Sequence, residues 1–185
     1  MPIDPMTVAI RCATRNDIPA LEDLIRLSAL QIGVTDYTIE QIEGALRGAF
    51  GVDTQLIDDG TYFVAFMGDR LVACGGWSRR RTLFGRDSRS DRDTSPLDPK
   101  TDAARIRAFF VQPEFARRGI GRVLVDRCES AAVAEGFRHA ELMATLPGVR
   151  LYAACGYVSG APVEYPLPAG GTIRFVPMRK TLATA

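Results

Sequence analysis

The sequence predicts a mixed α/β fold with a central sheet and helices on its faces. Three observations predict it. Helical apolar stripes and short β-rich runs succeed one another in the order β-α-α-β-β-β-α-β-α-β-β. The run RIRAFFV (105–111) leads through a short turn and glycines into another apolar stripe, a strand–turn–helix succession. At 185 residues, with 46% hydrophobic and 24% charged residues, the chain is long enough for one sizeable core and short for two, so one domain over 1–185 is expected.

The elements follow in order. Residues 7–12 alternate modestly and form a first strand, after which Thr14, Arg15, Asn16 and Asp17 offer cap groups. Ile18, Leu21, Leu24, Ile25 and Ala29 recur at helical spacing. Thr38-Ile-Glu-Gln41 has the form of a capping box, which opens a second helix running to about Phe50. Residues 62–67 and 71–77 are β-rich and flank Gly68-Asp69-Arg70, a hairpin signal. Gly75-Gly76 would weaken an ordinary strand and marks a bulge or a close backbone approach. Residues 86–103 mix charges of both signs with two prolines and almost nothing apolar, so a flexible loop insertion is expected there, with a substrate-side lid as the sharper reading. Beyond the 105–111 strand, Ile120, Val123, Leu124, Cys128, Ala131 and Ala132 form a helical stripe that Gly136 closes. Residues 138–146 form a strand, 148–154 a short helix closed by Gly156, and 157–163 with 172–178 a terminal strand pair. No internal repeat is apparent.

Composition excludes several function classes. Twenty-three Lys and Arg stand against 22 Asp and Glu, a formal net charge of +1, so no global field draws nucleic acid or a membrane surface, and any anion site must be local. Cys12, Cys74, Cys128 and Cys155 are scattered without a CxxC pair, and His139 is the sole histidine, so neither a metal site nor a disulfide framework is expected. Buried free thiols in a reducing compartment are the simple reading, and with no leader-like N-terminus a cytoplasmic protein is expected.

ARRGIGRVLV (116–125) sets two arginines and two glycines at the start of a helix. Free backbone amides and the positive end of the helix dipole make such a place suited to an anion. A dinucleotide fingerprint would need glycine where Leu124 stands, and a P-loop would need Gly-Lys-Ser/Thr, so both drop out. Taken alone, the stretch is equally compatible with a capped helix on a basic patch.

With its surroundings, however, the run IRAFFVQPEFARRGIGRVLVDRCESAAVAEGF followed by ELMATLPGVRLYAACGY resembles the GNAT superfamily of N-acetyltransferases. The family's acetyl-CoA motif is Q/R-x-x-G-x-G/A after a strand ending in V-x-P. The resemblance covers about residues 7–180 in element order and is most specific over 106–157. It implies a GNAT-like fold, a mixed sheet of about seven strands flanked by about four helices, and acetyl-CoA as cosubstrate with no metal. It further implies that Arg117, Arg118, Gly119, Ile120, Gly121 and Arg122 wrap the CoA pyrophosphate, chiefly through backbone amides, and that Phe110 and Val111 offer strand backbone to the pantetheine arm. Ala116 departs from the family's Gln or Arg, which removes one side-chain contact that Arg117 can replace.

The segment LYAACGY matches the family's L-Y-x-x-x-G-F/Y, and by that match Tyr152 is the candidate general acid, since a phenol with pKa near ~10 stays protonated at neutral pH. The alternative is an aromatic that anchors the short helix. No carboxylate lies in 104–107, Glu114 reads as a solvated loop residue and Glu141 as a weak alternative, so no base is assigned. Arg79-Arg80-Arg81 reads as a solvated face or as a site for an acidic group, Trp77 as an acceptor-pocket or core aromatic, and His139 as non-catalytic.

The expected activity is transfer of an acetyl group from acetyl-CoA to a primary amine, small molecule or peptide, by direct attack in a ternary complex. No cysteine shows an activating pattern for a covalent route. An inactive acyl-CoA-binding regulatory domain is the alternative, and a module binding phosphorylated partners is a third reading. The family, and the frequency of two-fold oligomers, also allow a homodimer.

Overall fold

A computed structural model describes residues 8–83 and 93–182. The chain order is β1 (Ala9–Cys12), α1 (Ile18–Ile32), α2 (Ile39–Leu46), α3 (Thr54–Asp58), β2 (Tyr62–Met67), β3 (Arg70–Ser78), β4 (Ala104–Val111), α4 (Ile120–Ala134), β5 (His139–Thr145), α5 (Val149–Ala154), β6 (Val158–Ser159), β7 (Val163–Pro166) and β8 (Thr172–Thr181). The strands form one sheet in the order β1-β2-β3-β4-β5-β8-β6, with β7 also on β8. Every pairing is antiparallel except β4 with β5. That parallel pair is the place where α4 must cross over, because parallel neighbours cannot be joined by a tight turn.

Local chemistry explains the boundaries. Thr38 accepts from the Gln41 amide while the Gln41 side chain accepts from the Thr38 amide at 3.0 Å, so the expected capping box opens α2. The helix ends at Leu46 rather than near Phe50, and the single-turn α3 follows, an element the sequence pattern did not disclose. Gly136 and Gly156 take positive φ values of 93° and 90° just beyond α4 and α5, as C-terminal glycines do. The terminal pair is redistributed. Instead of one strand over 157–163, the two-residue β6 and the separate β7 line the same edge of a ten-residue β8.

Two apolar clusters cover the sheet's faces. One joins α4 and α5 to the sheet through Ile120, Leu124, Cys128, Leu142 and Tyr152; the other joins α1, α2 and α3 through Leu21, Ile25, Ile42, Leu56 and Phe175. Residues 84–92, including the first part of the expected 86–103 loop, lie outside the described residues. From 93 onward the segment runs beside the end of β3. The Leu97 amide donates to the Arg79 carbonyl at 2.8 Å, and its side chain, a rare apolar group there, is buried. Among the described residues no helix is long and apolar enough to cross a membrane.

Candidate active site

The Gly75-Gly76 pair resolves into both of the features expected of it. In the β3–β4 register Cys74 pairs with Phe110 and Gly76 with Arg107, so Ala108 and Phe109 stand opposite the single Gly75. Ala108 takes φ 56°, the left-handed region, to make this bulge. The Tyr62 hydroxyl donates to the Ala108 carbonyl at 3.2 Å and holds the bulge from behind. A Cβ on Gly76 would stand 2.8 Å from the Thr61 carbonyl oxygen, the close backbone approach.

The bulge bends β4 away from β5. The two pair only at Ala104 with Ala140 and Arg105 with Glu141, while β5 continues along β8 as far as Thr145. The last residues of β4, Phe109, Phe110 and Val111, therefore turn their β5-side edge toward a cleft. Beneath the bulge Arg107 forms a buried ion pair with Asp53, which precedes α3; their side chains are 2% and 1% exposed.

After β4 the chain turns through Arg117 at φ 63° and Gly119 at φ 91°. Glycine suits the second, and for arginine the first is a strained position of the kind found at ligand sites. The first bond of α4 runs from the Val123 amide to the Gly119 carbonyl at 3.2 Å, so the amides ahead of it have no acceptor within the helix. Gly121 has a second role. A Cβ there would lie 2.9 Å from Leu151, so its absence lets α4 pack closely on α5 and draws the two recognised motifs together. Gly121→Val is expected to cost about 1–3 kcal/mol by overpacking and to weaken acetyl-CoA binding. Denaturant unfolding and calorimetry measure the two effects.

The segment before α5 is held by Tyr37. Its hydroxyl accepts from the Leu146 amide at 2.8 Å and donates to the Arg174 carbonyl at 2.6 Å, and burial pushes the phenol up to about 12. On α5, Tyr152 is 8% exposed and meets Phe109 and Tyr157 edge to face, with ring centroids 6.1 and 5.9 Å away. Burial raises its pKa well above the usual phenol value, with smaller contributions from Cys128 and Cys155.

These elements enclose a groove of about 410 Å³ between the Arg117–Arg122 turn, the splayed end of β4 and α5, with α1 as the opposite wall. A smaller cavity of about 70 Å³ opens around the bulge between Arg107, Leu83, Met143 and Phe175. Phe50, Phe109, Phe110, Thr145 and Tyr152 line both, so the two meet at Tyr152. Among the cradle positions implied by the family resemblance, Phe110, Val111, Arg117, Gly119, Ile120, Gly121 and Arg122 line the groove. Arg118 is not among its lining; its guanidinium lies over the Phe115 ring, 5.4 Å from the centroid. The Arg122 guanidinium donates to the Ala154 carbonyl and ties α4 to the end of α5. Sequence reasoning missed Arg150 on α5, Tyr37 between α1 and α2, and the α1 wall of Ser28, Ala29 and Ile32, the last because α1 reads as an ordinary amphipathic core helix.

The remaining candidates fall outside both cavities. Glu114 pairs with Arg70 at 2.8 Å on the surface, and Glu141 pairs across strands with Arg105. Arg79, Arg80 and Arg81 pair with Glu135, Asp59 and Asp102, and Arg80 holds the Asp59 carboxyl below the usual range. Trp77 is 1% exposed against Phe137, a core aromatic, and His139 contacts Thr181. Among the described residues no cluster could hold a metal ion.

The model of the acetyltransferase (GNAT) family matches residues 30–157, which contain the bulge, the turn and Tyr152. The chain belongs to that family. Solved structures agree in fold. The GCN5-related N-acetyltransferase of Rhodopseudomonas palustris superposes with TM-score 0.72 at 20% identity, over 98% of this chain and 99% of the other. The PaiA N-acetyltransferase of Thermoplasma acidophilum, in complex with coenzyme A, gives 0.64 at 15% identity over 95% and 99%. YncA, a putative acetyltransferase of Salmonella typhimurium with acetyl-CoA, gives 0.62 at 16% identity over 97% and 96%. No curated protein matches the sequence. Within this GNAT chain, the groove's open strand edge, free helix amides and arginines fit a long donor that is peptide-like at one end and anionic at the other.

Proposed function

We propose that the protein is an acetyl-CoA-dependent N-acetyltransferase that acts on a primary amine of a small molecule or peptide in a ternary complex. The observation that carries this reading is the junction at Tyr152, where the groove with the anion-suited turn meets the cavity at the bulge. When bound, acetyl-CoA supplies an activated acetyl group whose transfer to nitrogen breaks a carbon–sulfur bond and leaves a thiolate. The turn over Arg117–Arg122 binds the pyrophosphate through its backbone amides, with Arg117 adding charge. Phe110 and Val111 align the pantetheine arm by strand-like hydrogen bonds. The amine enters from the bulge side, its nitrogen bonds to the acetyl carbon and its surplus proton leaves to solvent. Tyr152, kept neutral by burial, donates its hydroxyl proton to the departing sulfur and regains one from solvent before the next turnover.

Two measurements on the wild-type protein test this. Calorimetry is expected to give saturable acetyl-CoA binding at one site per chain, and free-thiol release is expected with at least one class in a panel of amines. Absence of binding would overturn the reading. Binding with no turnover on amino acids, small amines, antibiotics and peptides would favour an acyl-CoA-binding regulator instead.

A further inference from the structure

We infer that Gly75, on a strand that does not line the groove, is a positioning residue: its missing side chain is the seat of the Phe109 ring and thereby sets the ring against Tyr152. This inference rests on the acetyltransferase reading above for its kinetic consequence but not for its structural one.

A Cβ built on Gly75 would stand 2.7 Å from both Cε2 and Cζ of Phe109 and 2.8 Å from Cδ1; since Cε2 and Cδ1 are opposite corners of the ring, it would press into the ring's face, well inside van der Waals contact. An aromatic ring is rigid and cannot yield by bending a flexible tip, so any side chain at 75 displaces Phe109 as a unit. The bulge explains why the ring comes so close. With Ala108 and Phe109 sharing one partner, Phe109 is carried out of regular register onto Gly75 itself. Phe109 in turn meets Tyr152 edge to face at 6.1 Å, and both line the groove and the smaller cavity where these meet. Gly75 is buried in mid-strand, where glycine ordinarily weakens a strand, and it stands at the point where the Phe109 ring lies against β3. Gly75 touches neither substrate in the proposed arrangement and acts only through Phe109.

A double-mutant cycle read by two signals tests this. With 3-fluorotyrosine incorporated throughout, the Tyr152 resonance is identified by its loss in Tyr152→Phe. Gly75→Ala is expected to shift that resonance and to leave the Tyr165 resonance in place. It is also expected to lower kcat on the order of 10–100-fold, with acetyl-CoA affinity within about twofold, since the turn and the strand edge stay put. In the Phe109→Leu background, Gly75→Ala is expected to change neither the Tyr152 resonance nor kcat further, because the rigid ring it collides with is replaced by a smaller side chain that can turn aside. A Tyr152 resonance unmoved in folded Gly75→Ala, or equal effects in both backgrounds, would overturn the inference. Should Gly75→Ala alone fail to fold, recovery of the fold in Gly75→Ala/Phe109→Leu supports the contact, and failure of both overturns it. If the wild type turns over no amine, the acetyltransferase reading fails, while the resonance cycle still decides the role of Gly75.

Discussion

Replacing Tyr152 by Phe is expected to lower kcat by about 10²–10⁴-fold, the usual worth of a positioned general acid, and to leave the calorimetric Kd for acetyl-CoA within about twofold. The split follows from placement. Tyr152 is buried where groove and cavity meet, whereas the end of the groove proposed to take the pyrophosphate is built from the turn before α4. The ring and its contacts with Phe109 and Tyr157 survive in phenylalanine; only the proton donor is lost. The pH profile is a second check. A general acid must be protonated to act, and burial raises the Tyr152 pKa, so its active form persists to more alkaline pH than a free phenol's. The wild-type kcat should therefore show no falling limb from this group below about pH 10, and any rising limb belongs to the amine. A variant with kcat within threefold of wild type would remove Tyr152 as the acid while leaving acetyl transfer standing.

The largest stability effect is expected at Arg107. Arg107→Ala should cost about 3–5 kcal/mol, read as a lowered urea midpoint with an unchanged slope, because it removes the cation facing the buried Asp53 carboxylate. Asp53→Ala should cost a comparable amount by stranding the guanidinium. The double variant Arg107→Met/Asp53→Leu should recover most of the loss, since two apolar side chains can replace a buried ion pair at little net cost. A loss in the double variant as large as the sum of the two single losses would show that the pair contributes as packing and not as charge.

Much of this architecture was legible from local chemistry. The stripe from Ile120 to Ala132, the Thr38–Gln41 box and the glycines at 136 and 156 act within a turn or two of themselves, and each element stands where its own residues put it. The glycine pair at 75–76 signalled irregularity correctly, but not that its partner would be an aromatic ring one strand away. What escaped was non-local. The single turn of α3 has too few residues to show periodicity, and Asp53 just before it is fixed by Arg107, more than fifty positions further on. The split of the terminal edge into β6 and β7 depends on which stretches can reach β8 around Pro162, a matter of pairing rather than propensity. The turn of the site was readable because backbone amides need only glycine and a helix start. The α1 wall was not, because Ala29 and Ile32 look the same whether they face a core or a groove.

The brief contact between β4 and β5 also bears on how the molecule comes apart. Pairing is extensive, apart from local bulges, within β1–β4 and within β5–β8, yet two residue pairs alone stitch these halves together edge to edge, and the burden of joining them falls on α4 and on the aromatic side chains in the cleft. Such a seam is a natural boundary between cooperative units. A ligand lying along it would bridge both halves, so a donor bound in the groove as proposed would make one unit of two and act as the clasp of the sheet.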